Sequence, residues 1–210
     1  MLAAILVLIG GLVEMIPTFL VKSNIPTIAS VKPYTPLELQ GRDIYVREGC
    51  YLCHSQMIRP FRSETERYGE YSKAGEFVYD HPFQWGSKRT GPDLAREGKK
   101  YPNIWHYMHM ENPRNMSPGS IMPAYTWMLT NTLDVSTMEK KISVMRQLGV
   151  PWPSRFEYLA LDSLNQQANS IAADLQKNGA PVEADKEIIA MIAYLQRLGT
   201  DIQVSKTAGK

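Results

Sequence analysis

The first 21 positions, MLAAILVLIGGLVEMIPTFLV, are apolar almost without interruption, and Glu14 is the only ionisable side chain among them. As a helix the run reaches about 31 Å at roughly 1.5 Å per residue, close to the hydrocarbon thickness of a bilayer. It has neither the basic start nor the small-x-small finish of a cleaved leader, so the pattern predicts a retained single span over residues 1–21. Glu14 and Pro17 suit a face turned to another protein or to the headgroups, because a carboxyl facing lipid is costly and proline frees a carbonyl. Residues 22–35 then carry Pro26 and Pro33 among Ser, Asn and Thr, which reads as an extended linker.

Beyond the linker the apolar positions recur at helical spacing. Thr35-Pro36-Leu37-Glu38 is a capping box with proline at the first helical position, opening a helix to about Glu48 with Leu37, Gly41, Ile44 and Tyr45 on one face. A short helix is predicted over Asn103–Glu111, stopped by Asn112-Pro113, and another over Asp134–Leu148 through Val135, Met138, Ile142 and Met145. Ser154-Arg155-Phe156-Glu157 reads as a second capping box, leading through Leu161, Leu164, Ala168, Ile171 and Leu175 to Gly179. The last helix runs from near Pro181 through Ile188, Met191, Ile192 and Leu195 to Gly199. Residues 55–102 show no period and read as a long irregular segment, and residues 203–210 as a polar, frayed tail. No run alternates as a strand would. The expected fold is mainly α: a transmembrane anchor over 1–21, a linker over 22–35, and one domain over 36–202.

Composition narrows the classes. With 23 basic and 21 acidic side chains the formal charge is +2, which argues against a partner as acidic as nucleic acid. The 44% apolar and 21% charged content excludes wholesale disorder. Two cysteines are too few for a disulfide framework or for a thiolate zinc site.

Both cysteines fall in Cys50-Tyr51-Leu52-Cys53-His54, the C-x-x-C-H pattern of covalent haem attachment. Two thiols at this spacing match the two vinyl groups of a haem, and the adjacent imidazole falls on the iron. A dithiol redox centre would need a βαβ frame, and a zinc site would need further ligands nearby; the sequence offers neither. Candidates for the sixth iron ligand are Met57, Met108, Met110, Met116, Met122, His81, His106 and His109. Met57 is too close to His54 to reach the opposite face, and the residues on the 103–111 helix read as packing. Met122 is preferred: it lies in Ser120-Ile121-Met122-Pro123-Ala124-Tyr125, 68 positions after His54, where proline stiffens the loop presenting the sulfur. Between these motifs, Thr90-Gly91-Pro92-Asp93-Leu94 offers the carbonyl of Pro92 to the far nitrogen of His54.

These three motifs, ordered between an N-terminal and a C-terminal helix, resemble class I cytochromes c, in which the terminal helices cross with a glycine against an aromatic. Gly41 and Tyr45 would meet Tyr194 and Leu195. GRDIYVREGC, CHSQMIRPFRSETERYGEYS and YDHPFQWGSKRTGPDLA, with Asn112-Pro113-Arg114 and AYLQRLGT, resemble more closely the mono-haem membrane-anchored subunit of cbb3-type cytochrome c oxidases. That resemblance implies one covalent haem c with His54 and Met122 as axial ligands, in a class I cytochrome c-like domain with long irregular insertions. It implies a bacterial inner-membrane protein with its haem domain in the periplasm, docked on a catalytic haem–copper subunit. A di- or tri-haem cytochrome c subunit or a soluble cytochrome c would supply the electrons. It further implies a calcium ion at the interface with the catalytic subunit, near the Trp85-Gly86-Ser87 turn, with Ser87 the candidate neighbour. Arg59, Arg62 and Tyr125 are candidates for contact with the haem. Residues 56–89, in which Arg59, Arg62, Arg67, Lys88 and Arg89 interleave with Tyr68, Tyr71, Phe77, Phe83 and Trp85, read as a docking surface. Two other readings use the same motif: the anchored cytochrome c subunit of a nitric oxide reductase, and a haem sensor with an open sixth site.

Overall fold

The computed structural model describes residues 1–21, 26–86 and 88–207, and among them it is almost wholly helical. Its one β feature is an isolated antiparallel bridge between Thr132 and Lys186. Helix α1, Leu2–Leu20, stands apart from the core with its apolar side chains exposed. Its 19 residues come to about 28 Å, just short of the hydrocarbon thickness. Among the described residues no helix is long and apolar enough to cross a membrane.

Helix α2 (Pro36–Arg47) begins as its sequence dictates. The Thr35 side chain accepts from the Glu38 N–H, the Glu38 side chain accepts from the Thr35 N–H, and Pro36 sits where no donor is needed. It crosses α8 (Glu187–Arg197), and this crossing is the centre of the fold. Gly41 makes the close approach possible: a Cβ there would lie 1.9 Å from the Ala190 carbonyl oxygen and 2.7 Å from Tyr194 Cβ. The Tyr45 ring packs tilted against that of Tyr194 at 5.4 Å. Both rings are fully buried with Ile188, Ile189, Met191 and Ile192, and each such aliphatic side chain contributes roughly 1.5–3 kcal/mol.

Three further helices complete the core. α4 (Asn103–Glu111) packs on α8 and gives way at Asn112 to the single turn α5 (Pro113–Met116), as the Asn-Pro pair predicts. α6 (Met138–Gln147) and α7 (Phe156–Lys177) pair with each other, and α7 reaches both α2 and α8. α6 and α7 therefore cover the helix crossing with Ile142, Leu164, Ala168 and Leu175.

Several expected boundaries are corrected. Residues 55–102 are not wholly irregular: α3 (Arg62–Tyr68) and a short 3-10 turn at Ala74–Phe77 lie within them. α3 buries little but Glu64, so it has no apolar stripe to read. Ser154 does not cap α7, which starts at Phe156 after Arg155 in the left-handed region with φ 63°. The last core helix starts at Glu187 rather than near Pro181. The Leu133 N–H donates to the Asp185 carbonyl and the Glu187 N–H to that of Asn131, which ties the intervening segment to its neighbour instead. α9 (Thr200–Thr207) continues past Gly199 into the expected tail.

Candidate cofactor site

The site begins where α2 ends. Gly49, with φ 71°, adopts a left-handed turn that closes the helix and starts a 3-10 turn over Cys50–Leu52. The Cys53 and His54 N–H groups both donate to the Cys50 carbonyl, at 3.2 and 2.9 Å. Cys50 is buried and Cys53 exposed, and both are free thiols. Burial pushes the Cys50 thiol up to about 12, which keeps it protonated. That is the opposite of what a dithiol redox centre needs.

His54 is clasped by a second segment. Its Nδ1 lies 2.9 Å from the Pro92 carbonyl oxygen. A carbonyl can only accept, so Nδ1 carries the proton and Nε2 keeps its lone pair. Burial moves the imidazole below its ordinary value, against the opposing influence of that bond, and so favours the neutral form a metal requires. Gly91 forms the wall beside the ring: a Cβ there would stand 2.3 Å from His54 Cε1. On the other side, the Trp85-Gly86 turn lies on the motif's backbone. The Gln56 N–H donates to the Trp85 carbonyl at 2.9 Å, and a Cβ on Gly86 (φ 67°) would meet the His54 carbonyl at 2.8 Å.

The remaining expected residues fall as follows. Met122 is half-buried at the edge of the core, its N–H donating to Ser120 Oγ at 3.2 Å. Tyr125 is on the same side of the fold as the cysteines, and burial above all pushes its hydroxyl up to about 12. It therefore brings the 120–125 segment to the cysteine side. Arg59 and Arg62 are both engaged within the segment itself, by Glu64 and by Glu66 at 2.6 Å, and neither is left free. Ser87 lies outside the described residues. Among those described, no cluster of three His, Cys, Asp or Glu side chains could hold a metal ion by itself.

Sequence reasoning missed a group just behind His54. Asp93, Ser55 and Glu64, all buried, and the half-buried Arg89 form a polar knot, although Arg89 and Glu64 lie in a segment with no readable period. Sequence reasoning assigns His109 to packing, and packing is what it does. That ring stacks on Trp105 at 4.6 Å, its buried Nδ1 has no hydrogen-bond partner among the described residues, and it is held below its ordinary value by burial and then by the charge of His54.

The donor set fits a haem: two free thiols in one C-x-x-C-H run, an imidazole whose Nδ1 is hydrogen-bonded so that Nε2 is left open, and a glycine beside the ring where a Cβ would not fit. In comparisons with known proteins, the family model described as the cytochrome c oxidase mono-haem subunit, FixO, matches residues 1–202. No curated protein matches the chain.

Proposed function

Since the chain belongs to the FixO family of cytochrome c oxidase mono-haem subunits, we propose that it is the electron-transfer subunit of a cbb3-type oxidase. Cys50 and Cys53 would hold one haem c covalently, and His54 and Met122 would ligate its iron. The observation that carries this reading is the clasp on His54, in which Nδ1–H donates to the Pro92 carbonyl and Nε2 is left open for iron. When bound, the haem supplies one-electron storage as its iron alternates between ferric and ferrous, and a thioether opposite an imidazole raises the potential to a carrier's range.

The chain's own residues do the rest. Pro92 and Gly91 fix the plane of the imidazole, and burial keeps it neutral. Tyr51 and Leu52, both exposed between the cysteines, form an apolar margin suited to close approach by a partner. The 56–89 segment supports the reading of a docking surface for the catalytic subunit: Phe83 is exposed, yet its ring stacks on Trp85 at 4.6 Å, so the aromatic surface is preformed. Electrons would arrive from a di- or tri-haem subunit or a soluble cytochrome c, and the catalytic haem–copper subunit would reduce oxygen. We assign α1 and its flanks to the membrane, with the haem domain in the periplasm. Leu6, Val7, Leu8 and Val13 are each at least 62% exposed, an arrangement that lipid or a membrane partner would cover.

Purification of the membrane complex tests the proposal. Haem staining should label this chain, and Cys50→Ser with Cys53→Ser should abolish it. The native ferrous chain should not bind carbon monoxide, and Met122→Ala should open the site to it. A co-purifying core with non-haem iron and no copper would refute the oxidase assignment.

A further inference from the structure

The knot behind His54 is more than a surface ion pair. Two backbone bonds bracket the histidine: the Gly91 N–H donates to the Cys53 carbonyl at 2.9 Å, and the Leu94 N–H to the Ser55 carbonyl at 2.8 Å. Between them sits the His54–Pro92 contact. The accepting oxygen belongs to the peptide unit joining Pro92 to Asp93, so whatever holds Asp93 holds that oxygen.

The Asp93 side chain is fully buried and is tied on both sides. Its Oδ2 accepts from Ser55 Oγ at 2.6 Å, from the Met57 N–H at 3.1 Å and from Arg89 Nη2 at 3.2 Å. Its Oδ1 accepts from the Ala95 N–H at 2.8 Å. Arg89 closes the figure. Its Nε donates to Ser55 Oγ, and its Nη2 donates to the Met57 carbonyl and Glu64 Oε2, at 2.8, 2.8 and 2.7 Å. The segment just after the histidine (Ser55, Met57) and the residue just after Pro92 are thus joined through one carboxylate and one planar fork. Burying such a pair is costly unless its geometry is well satisfied, and here nearly every lone pair has a donor.

We propose that Asp93 and Arg89 are positioning residues that fix the Pro92 carbonyl against His54 Nδ1, and through that bond set the reduction potential of the haem. The inference rests on the reading of His54 as the haem ligand. A firm acceptor on Nδ1–H gives the imidazole anionic character and favours ferric iron; a slack one raises the potential.

Two variants preserve net charge and so separate geometry from electrostatics. Ser55→Ala removes one tie to the carboxylate. Arg89→Lys replaces the fork by a point charge that cannot span its acceptors. Both are measured in the haem-loaded full chain in detergent, by redox titration and by the exchange rate of the His54 Nδ1 proton. Both should raise the potential and speed exchange roughly tenfold, the effect of losing one charge-assisted bond. Asp93→Asn, which also removes a charge, should move the potential further in the same direction. If Ser55→Ala and Arg89→Lys leave both readouts unchanged while Asp93→Asn moves only the potential, Asp93 acts as a charge and the positioning role is wrong. A wild-type chain that carries no haem on the motif removes the underlying assignment of His54 instead.

Discussion

Gly91 is the most sensitive test of how His54 is held. Its φ is not in the left-handed region, so alanine costs no backbone strain and only space is at issue. The added Cβ would stand 2.3 Å from His54 Cε1, 2.8 Å from Nδ1 and 2.9 Å from Nε2, where ordinary contact begins at 3.4 Å. Relief needs a separation of about 3.4 − 2.3 = 1.1 Å along the closest approach. The Gly91 N–H is bonded to the Cys53 carbonyl at 2.9 Å, so the segment cannot retreat without breaking that bond. If the ring moves instead, Nδ1···O grows from 2.9 Å to roughly 4 Å, beyond hydrogen-bonding reach. One lost bond at about 1 kcal/mol plus overpacking at about 1–3 kcal/mol predicts destabilisation of roughly 2–4 kcal/mol. Denaturant unfolding followed by circular dichroism measures it, and redox titration reads the change at the ligand. Gly119→Ala is the control, since nothing lies within 4 Å of its Cβ, and it should stay within about 0.5 kcal/mol of wild type. A Gly91→Ala protein with the stability and potential of the Gly119→Ala protein would refute the packing described for His54.

Other consequences follow from the same geometry. Gly41→Ala places a Cβ 1.9 Å from the Ala190 carbonyl oxygen, so α2 and α8 must part; the expected cost is about 3 kcal/mol or more, read as a lowered denaturation midpoint. His106, only 1% exposed, is pushed down to about 4 by burial and then by the charge of His109. The folded chain therefore binds fewer protons there than the unfolded one between about 4 and the ordinary 6.5. Stability should fall as pH drops through that window, by up to about 1.4 kcal/mol per pH unit. Denaturant midpoints at intervals across it should lose most of this slope in His106→Leu. Glu64 is held down to about 2 by Arg89 and then Arg59. Its contribution is full above the ordinary 4.5 and is lost as pH falls through about 2, so Glu64→Gln should flatten the acid limb of the stability curve.

Much of this was legible in the chain. The α2 boundaries were written in Thr35, Pro36, Glu38 and Gly49, each acting on backbone within a turn of itself. The Asn112-Pro113 stop before α5 was local in the same way. The C-x-x-C-H spacing declared a cofactor because the donors are adjacent in sequence. The apolar run of residues 1–21 predicted a helix, and α1 forms over Leu2–Leu20, although among the described residues no helix is long and apolar enough to cross a membrane.

Where the determinants were distant, reading failed or stopped short. α3 carries no stripe because it is held by Glu64 accepting from Arg59 and Arg89, not by burying an apolar face. The start of α8 lies at Glu187 because the Glu187 N–H donates to the Asn131 carbonyl, 56 residues away, and the Asp185 carbonyl just before it accepts from the Leu133 N–H. Arg89 and Asp93 looked ordinary, and folding set them behind His54. The sequence alone determined the helices whose signals lie within a turn or two, and set the motif's donors side by side. Only the tertiary structure decided which charges meet, because a buried ion pair is selected by the space left between segments far apart in the chain, and no local pattern encodes that space.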